Sequence, residues 1–113
     1  MLDQLVGEQL SAVIFVQDYI QFDFDDHLLT VYNWPSVSCK TGIIKWNESG
    51  FRDGLCGRIA KRVISATATK GDSIVIEFDD NCKIIISLAS NDYRGPEAAE
   101  LRNKVGSPVV MIF

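Results

Sequence analysis

The chain has 113 residues, is 47% hydrophobic, 23% charged and 10% aromatic, and carries a net charge of −4. Those values belong to one globular domain: a folded surface of about 6,000 Å² against about 18,000 Å² for the extended chain leaves a core that needs no covalent staples, which excludes a disordered chain or a disulfide miniprotein. The longest apolar run, Val13-Ile14-Phe15-Val16, cannot span a bilayer, and the N-terminus lacks the basic start and apolar core of a secretion signal, so the expectation is a cytoplasmic protein without a membrane partner.

Leu5-Val6-Gly7 opens the chain as a short helical turn, and Val13 to Val16 form a first strand. Ile20, Phe22 and Phe24 then alternate with Gln21, Asp23 and Asp25, the period of a strand with one buried and one wet face. Asp25-Asp26-His27 are turn formers, followed by a third strand at about 28–34 that ends in Trp34-Pro35. The linking segment predicts a helix over about 49–60, capped by Ser49, with Phe51, Leu55 and Ile59 on one side. Gly50, Gly54 and Gly57 weaken that helix, so it depends on docking against a sheet.

From here the pattern repeats. Leu55-Cys56-Gly57 with Val63-Ile64 matches Leu5-Val6-Gly7 with Val13-Ile14 at an offset of 50, and the segment from Ile74 to Asp80 matches that from Ile20 to Asp26 at an offset of 54. The four extra residues are assigned to a longer turn, Thr69-Lys70-Gly71-Asp72, because loops absorb insertions cheaply. A third strand at about 82–88 follows. Ile84-Ile85-Ile86, like Val13 to Val16, is apolar on both faces and calls for cover from the helices, the other meander or a second subunit. Ala98 to Arg102 fits either helix or strand, and Val109 to Phe113 reads as a last strand with Pro108 at its start. The expected fold is a single domain, mainly β with minor α: two related three-stranded antiparallel meanders (repeats at about 5–36 and 55–90) forming a sandwich or partly open barrel, with a short helix between them.

The paired Leu-x-Gly and Phe-Asp-Asp elements, together with Tyr93-Arg94-Gly95-Pro96-Glu97-Ala98, resemble a group of small bacterial domains built from two such copies, over residues 5 to 102. The resemblance implies a mainly β domain with no assigned chemistry and no catalytic residues to carry over. Some similar small domains lie beside toxin genes as immunity proteins, which extends to this chain by analogy alone.

The chemistry-bearing residues are few. Cys39, Cys56 and Cys82 make an odd set with no metal-binding spacing, so they read as small hydrophobes, with Cys56 and Cys82 buried, rather than as a disulfide or zinc framework. His27 is the single histidine; the second copy has Asn81 at the matching place in its turn, so His27 reads as a turn residue rather than an acid-base or metal group. No phosphate loop, dinucleotide motif or calcium loop is present, and nothing calls for a cofactor or a metal. Charge is segregated: residues 1–39 hold six acids and no Lys or Arg, whereas 40–70 carry a net +5. The basic stretch lacks interleaved aromatics, which disfavours nucleic acid, while the acidic face would steer a basic protein partner. Trp34, Tyr93 and Arg94 are of the types that dominate binding hot spots, and with Asp23 and Asp25 on the wet strand face they form the expected partner-binding set; Trp46 is left open between core and surface. The resulting expectation is a non-enzymatic protein-binding domain, adaptor- or immunity-like, with a homodimer as one way to cover its edges. The rival is a small enzyme using carboxylates in a cleft between the repeats.

Overall fold

The computed structural model describes residues 2–106 and 109–113, so the expectation at Pro108 lies outside the described residues. The chain is mainly β. The first half runs through a 3-10 turn (Leu2–Leu5) and strands β1 (Ala12–Val16), β2 (Tyr19–Asp23), β3 (His27–Val31), β4 (Ser36–Cys39) and β5 (Gly42–Lys45). The second half has α1 (Phe51–Cys56), β6 (Val63–Thr69), β7 (Ser73–Phe78), β8 (Lys83–Ser87), a 3-10 turn (Ser90–Asp92), β9 (Ala99–Asn103) and β10 (Val109–Ile112). Residues 99–103 are therefore strand, which decides the segment that propensity left open.

Two antiparallel five-stranded sheets result, ordered β1-β2-β3-β9-β10 and β5-β4-β8-β7-β6, and neither closes into a barrel. Each predicted meander is thus widened by a hairpin. The hairpins are exchanged: β4–β5, which follows the first meander, pairs through β4 with β8 of the second, and β9–β10, which follows the second, pairs through β9 with β3 of the first. Either half alone would leave its third strand without a neighbour on one side. The alternation seen in sequence supplies the core between the sheets: Ile20, Phe22 and Phe24 from one and Ile74, Ile76 and Phe78 from the other are fully buried, joined by Leu5, Leu29, Leu55, Ile84, Ile86 and Leu101. At about 25 cal/mol per Å² of apolar surface, each such side chain contributes roughly 2 kcal/mol.

Strand register corrects the internal alignment. Val13 lies opposite Phe22 and Ala66 opposite Ile76, so the counterpart of Val13 is Ala66, an offset of 53, rather than Val63. Two of the four extra residues accordingly precede β6, a third is the bulge between Val63 and Ser65, and only one enters the β6–β7 turn, where Gly71 adopts φ 75°. A further residue enters the β7–β8 turn: Phe78 N–H bonds to Cys82 O, whereas Phe24 N–H bonds to His27 O, and Asn81 takes φ 69° as the added left-handed residue. The counterpart of His27 is therefore Cys82, and the turn reading of His27 fails. His27 opens β3 at 6% exposure, with Nδ1 2.6 Å from Glu8 Oε2 and Nε2 3.1 Å from Gln4 Oε1. Glu8 Oε1 also accepts the Asp26 N–H at 2.9 Å, so this buried carboxylate fastens the β2–β3 corner to the chain start.

The linker helix is shorter than its apolar spacing predicts. Gly50, at φ 88°, is its N-cap and no side chain caps it, so Ser49 does not serve; Phe51 and Leu55 are buried but Ile59 is exposed beyond the helix end. Docking does sustain it, since a Cβ on Gly54 would meet Val37 Cγ1 at 2.7 Å. The helix packs on β4 and reaches β1 and β5, as the first 3-10 turn packs on β6.

The cysteine reading is also overturned. Cys39 and Cys82 form a disulfide with Cα atoms 4.3 Å apart, tying the exchanged hairpin to β8, while Cys56 is free and exposed. Spacing alone could not reveal this pair, because the exchange is what makes β4 and β8 neighbours. Such a disulfide is more typical of extracytoplasmic proteins than of the cytoplasm anticipated above. Among the described residues no helix is long and apolar enough to cross a membrane.

Candidate functional site

The β3–β4 connection is short; its Pro35 is buried, and Trp34, partly buried, packs against the edge of the core. Trp46 follows β5, and the two indoles stack with centroids 5.1 Å apart at 18°. The β8–β9 connection, residues 88–98, is much longer than its counterpart and brings Arg94 over the Trp34 ring, with Cζ 4.2 Å from the ring centroid. Arg94 is anchored there by backbone carbonyls: Nε donates to Tyr32 O at 2.8 Å, and Nη2 donates to Asp18 O at 2.5 Å and to Tyr32 O. Trp34 thus meets both a guanidinium and a second indole, and that second indole, Trp46, is 50% exposed. Each contact of this kind is worth about 0.5–1.5 kcal/mol.

Two clefts flank the stack. One, of about 470 Å³, has apolar walls from Phe15, Val16, Ile20, Trp34, Trp46 and Phe51, with Arg52 at its rim over the Phe15 ring at 5.8 Å. The other, of about 320 Å³, is polar, lined by Asn33, Ser36, Lys45, Ser87 and Asp92 beside the same two tryptophans. Asn33 is 1% exposed; its Nδ2 donates to Ser87 O at 2.7 Å, while its Oδ1 is buried without a hydrogen-bond partner among the described residues.

The apolar cleft has a counterpart in the other half of the fold. Register places Ala68 where Phe15 stands and Phe113 where Trp46 stands, and a smaller cleft of about 330 Å³ lies there, lined by Ala68, Lys70, Leu88, Tyr93, Ile112 and Phe113. The halves share core residues and differ at these clefts. Of the sequence-predicted set, Trp34 and Arg94 come together, Tyr93 faces the second cleft, and Asp23 and Asp25 lie at the opposite end of β2. Asp23 is paired with Lys104 Nζ at 2.8 Å, a bond that holds the Lys104 ammonium above its ordinary value, and Asp25 Oδ2 accepts the Gln9 N–H at 3.1 Å. Phe15 and Arg52 lie outside that set: Phe15 belongs to a strand apolar on both faces, where residue type marks no cleft, and nothing in the type or spacing of Arg52 singles it out.

Carboxylates gather less closely. Asp18 and Glu97 line an open hollow of about 390 Å³ with Tyr32 and Arg94. Burial pushes the Tyr32 phenol above its ordinary value, reinforced by Glu100 and Glu97. Among the described residues no three His, Cys, Asp or Glu side chains group as metal ligands would. Compared with family models, with curated proteins and with solved structures, the chain matches none of them.

Proposed function

We propose that this chain is a non-enzymatic protein-binding domain, adaptor- or immunity-like, built as a sandwich of two duplicated units, with Trp34, Trp46, Phe15, Arg52 and Arg94 as its contact surface. The observation that carries the reading is the exposed Trp46 stacked on Trp34, which Arg94 also contacts. A half-exposed tryptophan costs solubility without adding core. Here it stacks on Trp34 before any partner arrives, so covering it costs less side-chain freedom than ordering a free indole would. Its counterpart in the other half is Phe113, so the larger indole, Phe15 and Arg52 belong to one cleft only.

Asp23 and Asp25 play a different part in this reading. Both already hold partners within the fold, so they steer a basic partner from a distance rather than contact it. A second copy of the chain competes with a foreign partner for the same cleft. The test is capture of proteins from the native cell by wild type, by Trp46→Ala and by Arg52→Ala, followed by titration of the purified partner. Loss of at least tenfold in affinity with Trp46→Ala is expected, about 1.4 kcal/mol. A partner bound equally by all three proteins would refute the surface.

A further inference from the structure

The disulfide has surroundings that its bonding does not explain. Arg58, from the segment after α1, places Nη1 3.6 Å from Cys39 Sγ and 2.6 Å from Asp80 Oδ2. The guanidinium is largely buried, and its Nε has no hydrogen-bond partner among the described residues. A buried N–H left unpaired costs about 1–3 kcal/mol, and a disulfide sulfur, being neutral, returns little to a cation beside it. Asp80 sits on the other side: its Oδ1 accepts the Cys82 N–H at 3.0 Å, so the negative charge lies against Cys82 and the positive charge against Cys39. Lys40, next to Cys39 in the chain, is exposed. The corresponding place in the first unit holds Glu8 on His27, two groups that satisfy each other.

We infer that Cys39–Cys82 is a thiol–disulfide exchange site in which Cys39, opposite Arg58, is the sulfur that carries the charge once the bond opens. The co-reactant is a dithiol. It gives up two electrons and closes to its own cyclic disulfide while the bond between Cys39 and Cys82 breaks. Of its two protons, one stays on Cys82 as a thiol and the other leaves to solvent, so Cys39 remains a thiolate paired with Arg58. Cys82 is nearly buried whereas Cys39 is partly exposed, so the charged sulfur is also the one within reach of an electrophile. A cation at this distance is the arrangement that makes a cysteine reactive near neutral pH.

The test uses the full chain with Cys56→Ser, reduced by dithiothreitol, freed of it, and pulsed with iodoacetamide between about pH 6 and about pH 8, with peptide mapping of each cysteine. Labelling of Cys39 is expected to fall less than threefold across that range, while Cys82 and both cysteines of the urea-unfolded chain fall by about tenfold per pH unit, as ordinary thiols do. Arg58→Gln should restore the ordinary slope at Cys39. Should that variant fail to fold by circular dichroism, Asp80→Asn serves instead: it frees Arg58 for the thiolate and should flatten the Cys39 profile further. A tenfold slope at Cys39 in the folded reduced chain, or a flat one that Arg58→Gln or Asp80→Asn leaves unmoved, would overturn the assignment.

Discussion

Replacing Cys39 and Cys82 together by serine, in a chain that also carries Cys56→Ser, removes one covalent link and little else. The bond joins residues 43 apart in sequence, and a loop of that size restricts the unfolded chain by about 4 kcal/mol in the chain-entropy treatment. Cys82 is 8% exposed, so a hydroxyl placed there adds a small desolvation cost in the same direction. Against a total stability of about 5–15 kcal/mol for a domain of this size, the loss is large but leaves the fold standing. Urea unfolding followed by circular dichroism reads it: with a slope of about 1.5 kcal/mol per molar, the midpoint should drop by about 2–3 M, and the slope should steepen as the unlinked unfolded chain opens. Reduced wild type should fall less far, because the Cys39 thiolate keeps its partner Arg58 where serine does not. A drop of less than about 0.5 M in both would mean that the exchanged hairpin holds its place on β8 without the link and that the bond constrains nothing the unfolded chain explores.

Further outcomes follow from single contacts. Gly54→Ala should destabilise by about 1–2 kcal/mol despite the better helix propensity of alanine, because the new methyl meets Val37; Val37→Ala in the same chain should recover part of that loss, as a double-mutant cycle in urea would measure. Glu8→Ala removes the partner of the buried His27 and the acceptor of the Asp26 N–H, and thermal unfolding should report a loss of about 3 kcal/mol; no change would mean that the pair is idle. The Tyr32 phenol should ionise above 10.0, and Glu100→Gln, by removing a negative charge that opposes phenolate, should bring it part of the way down in a near-ultraviolet titration, the larger share owed to burial remaining.

Much of the local structure was legible in the residues. The alternation of Ile20, Phe22 and Phe24, repeated by Ile74, Ile76 and Phe78, names the buried face of β2 and β7 because a strand's two faces meet different solvents. The short helix and its reliance on docking follow from its glycines, although the positive φ of Gly50 moved the cap away from Ser49. What was not legible is non-local. Alternation says which face of β3 is buried but not that β9 lies beside it. The exchange of hairpins, the Cys39–Cys82 bond and the burial of His27 all depend on that neighbour relation. Identity also misled the alignment: Val13 matches Val63 by letter and Ala66 by register, since the slack between α1 and β6 leaves no mark in a comparison of residue types. At the candidate site, Trp34 and Arg94 were singled out by type, while Phe15 and Arg52 gain their meaning only from the cleft that the two edge strands and α1 enclose.

The exchange of hairpins between the two halves of the chain underlies both the shape of the cleft and the placing of the disulfide. Nuclear Overhauser contacts between α-protons test it most directly. The close approach of Cys39 and Cys82 marks a narrow pair, so Val37 and Ile84, two residues along the same ladder, are a narrow pair as well. A strong contact between the Val37 and Ile84 α-protons, retained in the Cys39→Ser/Cys82→Ser chain, is the expected result. A contact from Val37 to β3 of its own half instead would contradict the exchange and everything built on it.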